Sequence, residues 1–236
     1  MHGEADLSTI GSLLADRTRA AILLTLLNGG LTASSVLADR ASASRSLTSM
    51  HLRKLVDGGL VVVEPQGRQR LYRLAGQSIA DALEVLLLLA PPAPVRSLAD
   101  VNERDALRSG RLCYDHLAGR TGVAIADALT RGGLLAPRRD AFVVTPRGER
   151  AFADLGIDVD GLRARPRPLT RACTDWSEGR PHLAGSLGAA LTAELVRRDW
   201  VATREASRVA TVTAAGATAL EERFGVTAAS LERQAA

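Results

Sequence analysis

The sequence predicts a mainly α-helical chain carrying small β-hairpins, and three observations lead there. Hydrophobic residues make up 46% of the 236, yet only 3% are aromatic. The core must therefore be built from Leu, Ala and Val, which suits helices better than sandwiches. Apolar residues recur at helical spacing through the first ninety positions and again in the second half. Short Val-rich runs beside turn residues such as Pro65-Gln66-Gly67 read as hairpins. The length suits one large domain or two ordinary ones.

In chain order, Leu7, Ile10, Leu13 and Leu14 share one helical face. Asp16 stands as an N-cap before Arg17–Leu27, where Ile22, Leu23, Leu26 and Leu27 form a buried stripe. Asn28-Gly29-Gly30 ends that helix with residues that tolerate positive φ. Thr32 is placed to cap a short helix through Asp39, followed by a turn at Ala41–Ala43. Ser44 then caps a fourth helix that stops at Gly58-Gly59. Two short helices across a small-residue turn make a helix-turn-helix. Leu60–Val63 and Arg70–Leu74, joined through Pro65-Gln66-Gly67, complete it as a wing.

The fourth helix carries the chemistry. Thr48, Leu52 and Leu55 fall at i, i+4 and i+7 and face the core, leaving Arg45, Ser46, Ser49, Met50 and Arg53 outward. Small hydroxyls and arginines on such a helix can reach base edges in a major groove. Arg68 and Arg70 sit near the wing tip, placed for phosphates or the minor groove. The net charge of +4 says little, because Lys54 is the single lysine and the Arg bias fits a GC-rich genome. Its placement says more. Residues 40–75 hold Arg40, Arg45, Arg53, Lys54, Arg68, Arg70 and Arg73 against Asp57 and Glu64, a local +5.

Three segments carry a family resemblance: Leu14-Ala15-Asp16-Arg17-Thr18-Arg19-Ala20-Ala21-Ile22-Leu23, His51-Leu52-Arg53-Lys54-Leu55-Val56-Asp57-Gly58-Gly59-Leu60-Val61, and Gly67-Arg68-Gln69-Arg70-Leu71-Tyr72-Arg73-Leu74. Together they resemble the ArsR family of bacterial regulators over about residues 5–90. The resemblance implies a winged helix that binds double-stranded operator DNA as a homodimer through its first and last helices. It also implies repression relieved by an effector. A fifth helix containing Ile79, Leu83 and Leu86–Leu89 is more apolar than one small domain can bury, as a dimer face would be. Family metal sites do not carry over. Ala33, Ser34 and Ser35 stand where relatives place cysteines, and no histidine accompanies Asp81 and Glu84.

Pro91-Pro92-Ala93-Pro94 reads as a stiff linker, dividing residues 1–90 from a C-terminal domain over 97–236. That second half copies itself weakly, over about 100–158 and 170–228, as tandem helix–hairpin–helix repeats. Cys113-Tyr114-Asp115 answers Cys173-Thr174-Asp175, and Val144-Thr145-Pro146-Arg147-Gly148 answers Val212-Thr213-Ala214-Ala215-Gly216. Thr145 and Thr213 are expected to cap the closing helices. Neither copy contains a second recognition helix, so an effector-binding or dimer-stabilising role is expected. Arg163, Arg165, Arg167 and Arg171 between the copies read as a solvated connection. Longer ArsR-type chains carry a second half similar to Cys113–Gly119 and Cys173–Gly185.

Cys113 and His116 would share a face if their stretch were helical. If the copies pack about a pseudo-twofold, they could meet Cys173, Asp175 and His182. Two thiols, imidazoles and a carboxylate could hold zinc or a similar divalent metal, or the cysteines could form a reversible disulfide. Competing readings are apolar filler for the cysteines, a small-molecule pocket between the copies, and a purely structural extension. No phosphate loop, nucleophile elbow or zinc-protease helix is present, so an enzyme is not expected. No export signal opens the chain and Val85–Pro92 is too short to span a bilayer, so a cytoplasmic protein without membrane partners is expected. The functional expectation is a sequence-specific DNA-binding repressor. The alternatives are a winged-helix protein-interaction adaptor and a thiol- or metal-dependent redox sensor.

Overall fold

The structure, a computed structural model, describes residues 5–67, 69–204 and 206–232. The chain forms two compact units, Met1–Glu84 with Glu205–Ser207, and Val85–Arg204 with Arg208–Ala236.

The first unit opens with α1 (Leu7–Leu14) and α2 (Arg17–Leu26). The Asp16 carboxylate accepts from the Arg19 N–H at 3.0 Å, filling the N-cap role expected of it. Next come β1 (Thr32–Ala33), α3 (Ser34–Arg40), α4 (Arg45–Asp57), β2 (Val61–Gln66) and β3 (Gln69–Leu74). The three strands form an antiparallel sheet in the order β1-β3-β2. Ser44 caps α4 by accepting from Leu47 N–H.

Two expectations need correction here. Thr32 does not cap a helix; it lies in β1, buried and paired with Tyr72, and Ala33 precedes α3 without a side-chain cap. A β-branched residue whose backbone finds a strand partner gains more there than at an exposed helix end. The first wing strand also runs to Gln66, through Pro65. Proline is tolerated because β2 is an edge strand. Ile22, Leu23, Leu26, Leu37, Leu52, Leu55 and Leu74 are fully buried or nearly so and bind these elements together.

α5 (Gln77–Leu89) carries the division between the units. Residues 91–96 have no regular structure. α6 (Leu98–Ser109), which sequence periodicity did not single out, opens on a capping box between Ser97 and Asp100.

The rest of the second unit runs β4 (Arg111–Cys113), β5 (His116–Ala118), α7 (Gly119–Arg131), β6 (Leu135–Arg138), β7 (Ala141–Val144) and α8 (Pro146–Ala153). After α9 (Val159–Arg163), the same order returns: β8 (Arg171–Thr174), β9 (Pro181–Ala184), α10 (Gly185–Arg197), β10 (Val201–Thr203), β11 (Ala210–Val212) and α11 (Ala214–Phe224), with α12 (Ala228–Glu232) last. Each adjacent strand pair is an antiparallel two-stranded hairpin. β5 packs on α10 while β9 packs on α7, so each hairpin leans on the helix of the other segment. One apolar core, including Leu117, Leu129, Phe152, Leu183, Leu187 and Leu195, serves both.

The Cys-x-Asp stretches are hairpins rather than helices, and α10 starts at Gly185 because Leu183 is already in β9. Gly119 and Gly185 explain the sharp strand-to-helix turns. Their φ values are 72° and 87°, and an added Cβ would meet Arg108 O at 2.9 Å or Leu169 O at 2.8 Å. Thr145 and Thr213 accept from Gly148 N–H at 3.0 Å and Gly216 N–H at 2.9 Å at the starts of α8 and α11. The basic connection is partly built in. Arg163 pairs with Glu149 at 2.7 Å, and Arg167 pairs with Asp115.

Candidate functional site

Two places gather chemistry, one in each unit. In the first unit, α4 buries Thr48, His51, Leu52 and Leu55 and leaves Arg45, Ser46, Ser49, Met50 and Arg53 exposed. That division follows from the helical period, since a single anchored stripe turns the other positions outward. Arg70 is exposed on β3, and Arg68 lies outside the described residues. An open concavity of about 530 Å³ runs past Ser34, Ser35, Ser49, Arg53, Arg70 and Tyr72. It places serine hydroxyls and two guanidinium groups around one groove.

Arg73 adds little free charge to this surface, because its Nε donates to Glu64 at 2.6 Å. His51, which the sequence reading passed over, is buried on the inner face of α4. Its Nδ1 lies 3.2 Å from Arg19 Nη1 and 3.6 Å from Asp16 Oδ1. The link ties α4 to the start of α2. A histidine one step from the Thr48–Leu52–Leu55 stripe was the available signal.

In the second unit, Cys113, His116, Cys173 and His182 converge, with one potential ligand atom from each lying within 4.8 Å of all the others. The hairpins make this possible. A two-residue turn with Tyr114 at φ 64° sets Cys113 directly across from His116, and the longer loop of the second hairpin still sets Cys173 across from His182. A shared helix face is therefore replaced by cross-strand pairing. Cys113 and both histidines are buried, Cys173 is half-buried, and the cysteines are not joined as a disulfide. The imidazoles stack with centroids 5.1 Å apart.

Asp175, expected among possible ligands, stands behind the cluster. Its Oδ2 accepts from Arg111 Nη2 at 2.9 Å and Gly119 N–H at 2.6 Å, while Oδ1 accepts from the Ser177 N–H and hydroxyl and from Glu178 N–H. His182 Nδ1 is 3.5 Å from the same carboxylate. Asp115 stands likewise behind His116, with Oδ1 3.2 Å from Nδ1. Burial alone would raise Asp175, but Arg111 and His182 hold it at about 2. Burial is likewise outweighed at Asp115, which His116 and Arg167 hold at about 2. Burial draws the His116 imidazole down, yet Asp115 and Cys173 leave it raised overall. The Cys113 thiol, against burial, and both imidazoles hold Cys173 well below an ordinary thiol.

The space lined by Leu117, Gly122, Leu183 and Gly188 is about 10 Å³, room for about one water. No described helix is long and apolar enough to cross a membrane.

Residues 14–64 match the helix-turn-helix domain family. The uncharacterized HTH-type transcriptional regulator YdfF of Bacillus subtilis is 38% identical over 221 residues, covering 94% of this chain and 98% of its own. The HTH-type transcriptional regulator CmtR of Mycobacterium bovis is 42% identical over 84 residues, 36% of this chain and 70% of that protein. Among solved structures, the cadmium metal-sensor CmtR of Mycobacterium tuberculosis is 36% identical, covering 39% of this chain and 99% of that one, with a TM-score of 0.32. The homodimeric winged helix-turn-helix DNA-binding domain Mb0332 of Mycobacterium bovis, a possible ArsR-family regulator, is 28% identical, covering 38% of this chain and 89% of that one, also with a TM-score of 0.32. With a relative that is 38% identical and shares both halves, the chain belongs to the HTH-type transcriptional regulators, and its first unit has the winged helix-turn-helix order.

Proposed function

We propose that this regulator is a repressor that binds operator DNA as a homodimer, α4 entering the major groove and the wing following the backbone. The exposed row of Arg45, Ser46, Ser49, Met50 and Arg53, above buried Thr48, Leu52 and Leu55, is the observation that carries the reading. Arginine forks can read guanine edges and serines can reach bases or phosphates without blocking entry. Arg68 and Arg70 serve phosphates or the minor groove.

Dimerisation uses the apolar excess of α1 and α5. Leu7 and Ile10 are exposed on the former, and Val85, Leu86, Leu88 and Leu89 on the latter. A twofold reader needs two half-sites, which supports the assignment. Residues 1–90 are then the reading and pairing domain. Residues 97–236, a tandem duplication in our reading, answer the effector that relieves repression.

A mobility-shift titration with DNA upstream of its own gene tests the first part. Binding should weaken steeply with salt, and Arg53→Ala should weaken it further. Loss of one phosphate contact would lower the salt slope by about one, whereas loss of a base contact would cost about 1–3 kcal/mol at one base pair. Equal affinity for unrelated DNA, unchanged by Arg53→Ala, would instead favour an adaptor that binds protein.

A further inference from the structure

We propose that Cys113, His116, Cys173 and His182 form a closed four-ligand site for one zinc-class divalent ion, which pins the β4–β5 hairpin to the β8–β9 hairpin. The inference concerns the second unit alone and holds whether or not the first reads operator DNA.

The donor set comes first. Two sulfurs and two imidazoles are a common set for tetrahedral zinc, and four protein ligands leave no open position for catalysis. The atoms already lie within 4.8 Å of one another. Bond lengths of about 2.3 Å to sulfur and about 2.0–2.1 Å to nitrogen imply tetrahedral edges of roughly 3.3–3.8 Å. An ion would therefore draw the donors together by about an ångström, within reach of side-chain adjustment. Two thiolates also neutralise a dication, so the buried site would carry no net charge.

The second observation is the state of the imidazoles. His116 Nε2 and both ring nitrogens of His182 are buried without a geometric hydrogen bond, their polar neighbours being the Cys173 sulfur and, for His182 Nδ1, the Asp175 carboxylate at 3.5 Å. A buried polar atom left this way is costly unless something takes its lone pair or proton. His116 Nδ1 faces Asp115, and His182 Nδ1 lies nearest Asp175. That leaves Nε2 of each ring as the ligand atom, with a carboxylate behind it to orient the ring and raise its basicity. The carboxylates are fixed in turn by Arg167 and Arg111. This layered arrangement occurs in both hairpins. Simple apolar filling by cysteine would not require it.

The third observation is topology. The ligands come in cross-strand pairs, one pair from each hairpin, and β5 and β9 pack together. An ion here would join segments about sixty residues apart in sequence, and ordering such a loop is where a covalent clip stabilises most.

The test uses the full-length protein, prepared under reducing conditions and loaded with zinc or cobalt. About one zinc per chain should survive gel filtration. Cobalt should give the intense visible bands of a tetrahedral ion together with a thiolate charge-transfer band. Zinc should protect the thiols from a thiol reagent until a chelator is added. Cys173→Ser, at the least buried ligand, should lose both the charge-transfer intensity and stoichiometric zinc. Asp115→Asn should keep the cobalt spectrum while lowering affinity about 10–100-fold. Circular dichroism shows whether each variant is folded; if Cys173→Ser is not, the wild-type cobalt spectrum and the Asp115→Asn affinity decide. Zinc not retained by the wild type, an octahedral cobalt spectrum, or a Cys113–Cys173 disulfide forming equally fast with and without zinc would each overturn the proposal.

Discussion

Replacing Asp175 with Asn puts the internal electrostatics of the second unit to the test. Arg111 and Asp175 are both completely buried, and their charges meet at 2.9 Å. Asp175 also accepts from Gly119, Ser177 and Glu178. Asparagine keeps the size but removes the charge and turns one acceptor into a donor, facing groups that already donate. Arg111 would retain Leu107 O at 3.3 Å, the Ser177 hydroxyl at 3.1 Å and the Trp176 ring at 4.3 Å. None of these neutralises a buried cation. Breaking one side of such a pair costs about 3–5 kcal/mol. For a domain of this size that lowers the melting midpoint by roughly 6–20 °C.

Both tryptophans of the chain, Trp176 and Trp200, lie in the second unit, so urea unfolding followed by tryptophan fluorescence reports the right structure. Arg111→Met alone should be similarly costly, because it strands the carboxylate. The double variant should recover part of the loss, since neither charge then remains buried and alone. An unfolding free energy for Asp175→Asn within about 1 kcal/mol of the parent, with no recovery in the double variant, would refute the reasoning.

Three further outcomes follow from the structure. Thr145→Ala and Thr213→Ala each remove an N-cap acceptor and should cost about 1 kcal/mol apiece in urea unfolding; a large asymmetry between them would show that their matching geometry does not carry matching energy. Val85→Glu combined with Leu89→Glu charges the exposed α5 face, and sedimentation should show a monomer where the parent is a dimer; an unchanged mass would remove α5 from the interface. Glu194 is held at about 2 by Arg197, against burial, and then by Arg198. Its contribution is present above its ordinary value of about 4.5 and is lost as pH falls towards about 2. Glu194→Gln should therefore lower the melting midpoint near neutrality, and the gap should close as pH falls through that window.

The local elements were largely legible in the residues. Asp16, Ser44, Thr145 and Thr213 announced helix starts through a short oxygen-bearing side chain, a rule that acts over three residues and needs no tertiary knowledge. The outward row on α4 was legible for the same reason, because a 3.6-residue period and one anchored stripe leave little choice. Thr32 misled because its competing partner, Tyr72, lies forty residues away, and a strand pairing cannot be read from either strand alone. His51 was passed over because only packing tells whether a histidine beside a buried stripe points inward.

The thiol–imidazole cluster marks the boundary most sharply. The sequence by itself determined that a cysteine and a histidine stand near an aspartate twice, as Cys113 with His116 beside Asp115 and Cys173 with His182 near Asp175. It did not determine that a two-residue turn at Tyr114 and a longer loop after Thr174 would yield the same cross-strand pairing, nor that β5 and β9 would bring the pairs together. Only tertiary structure decided that, because each hairpin buries its apolar face against the other segment's helix, and this exchange of partners sets the four donors side by side.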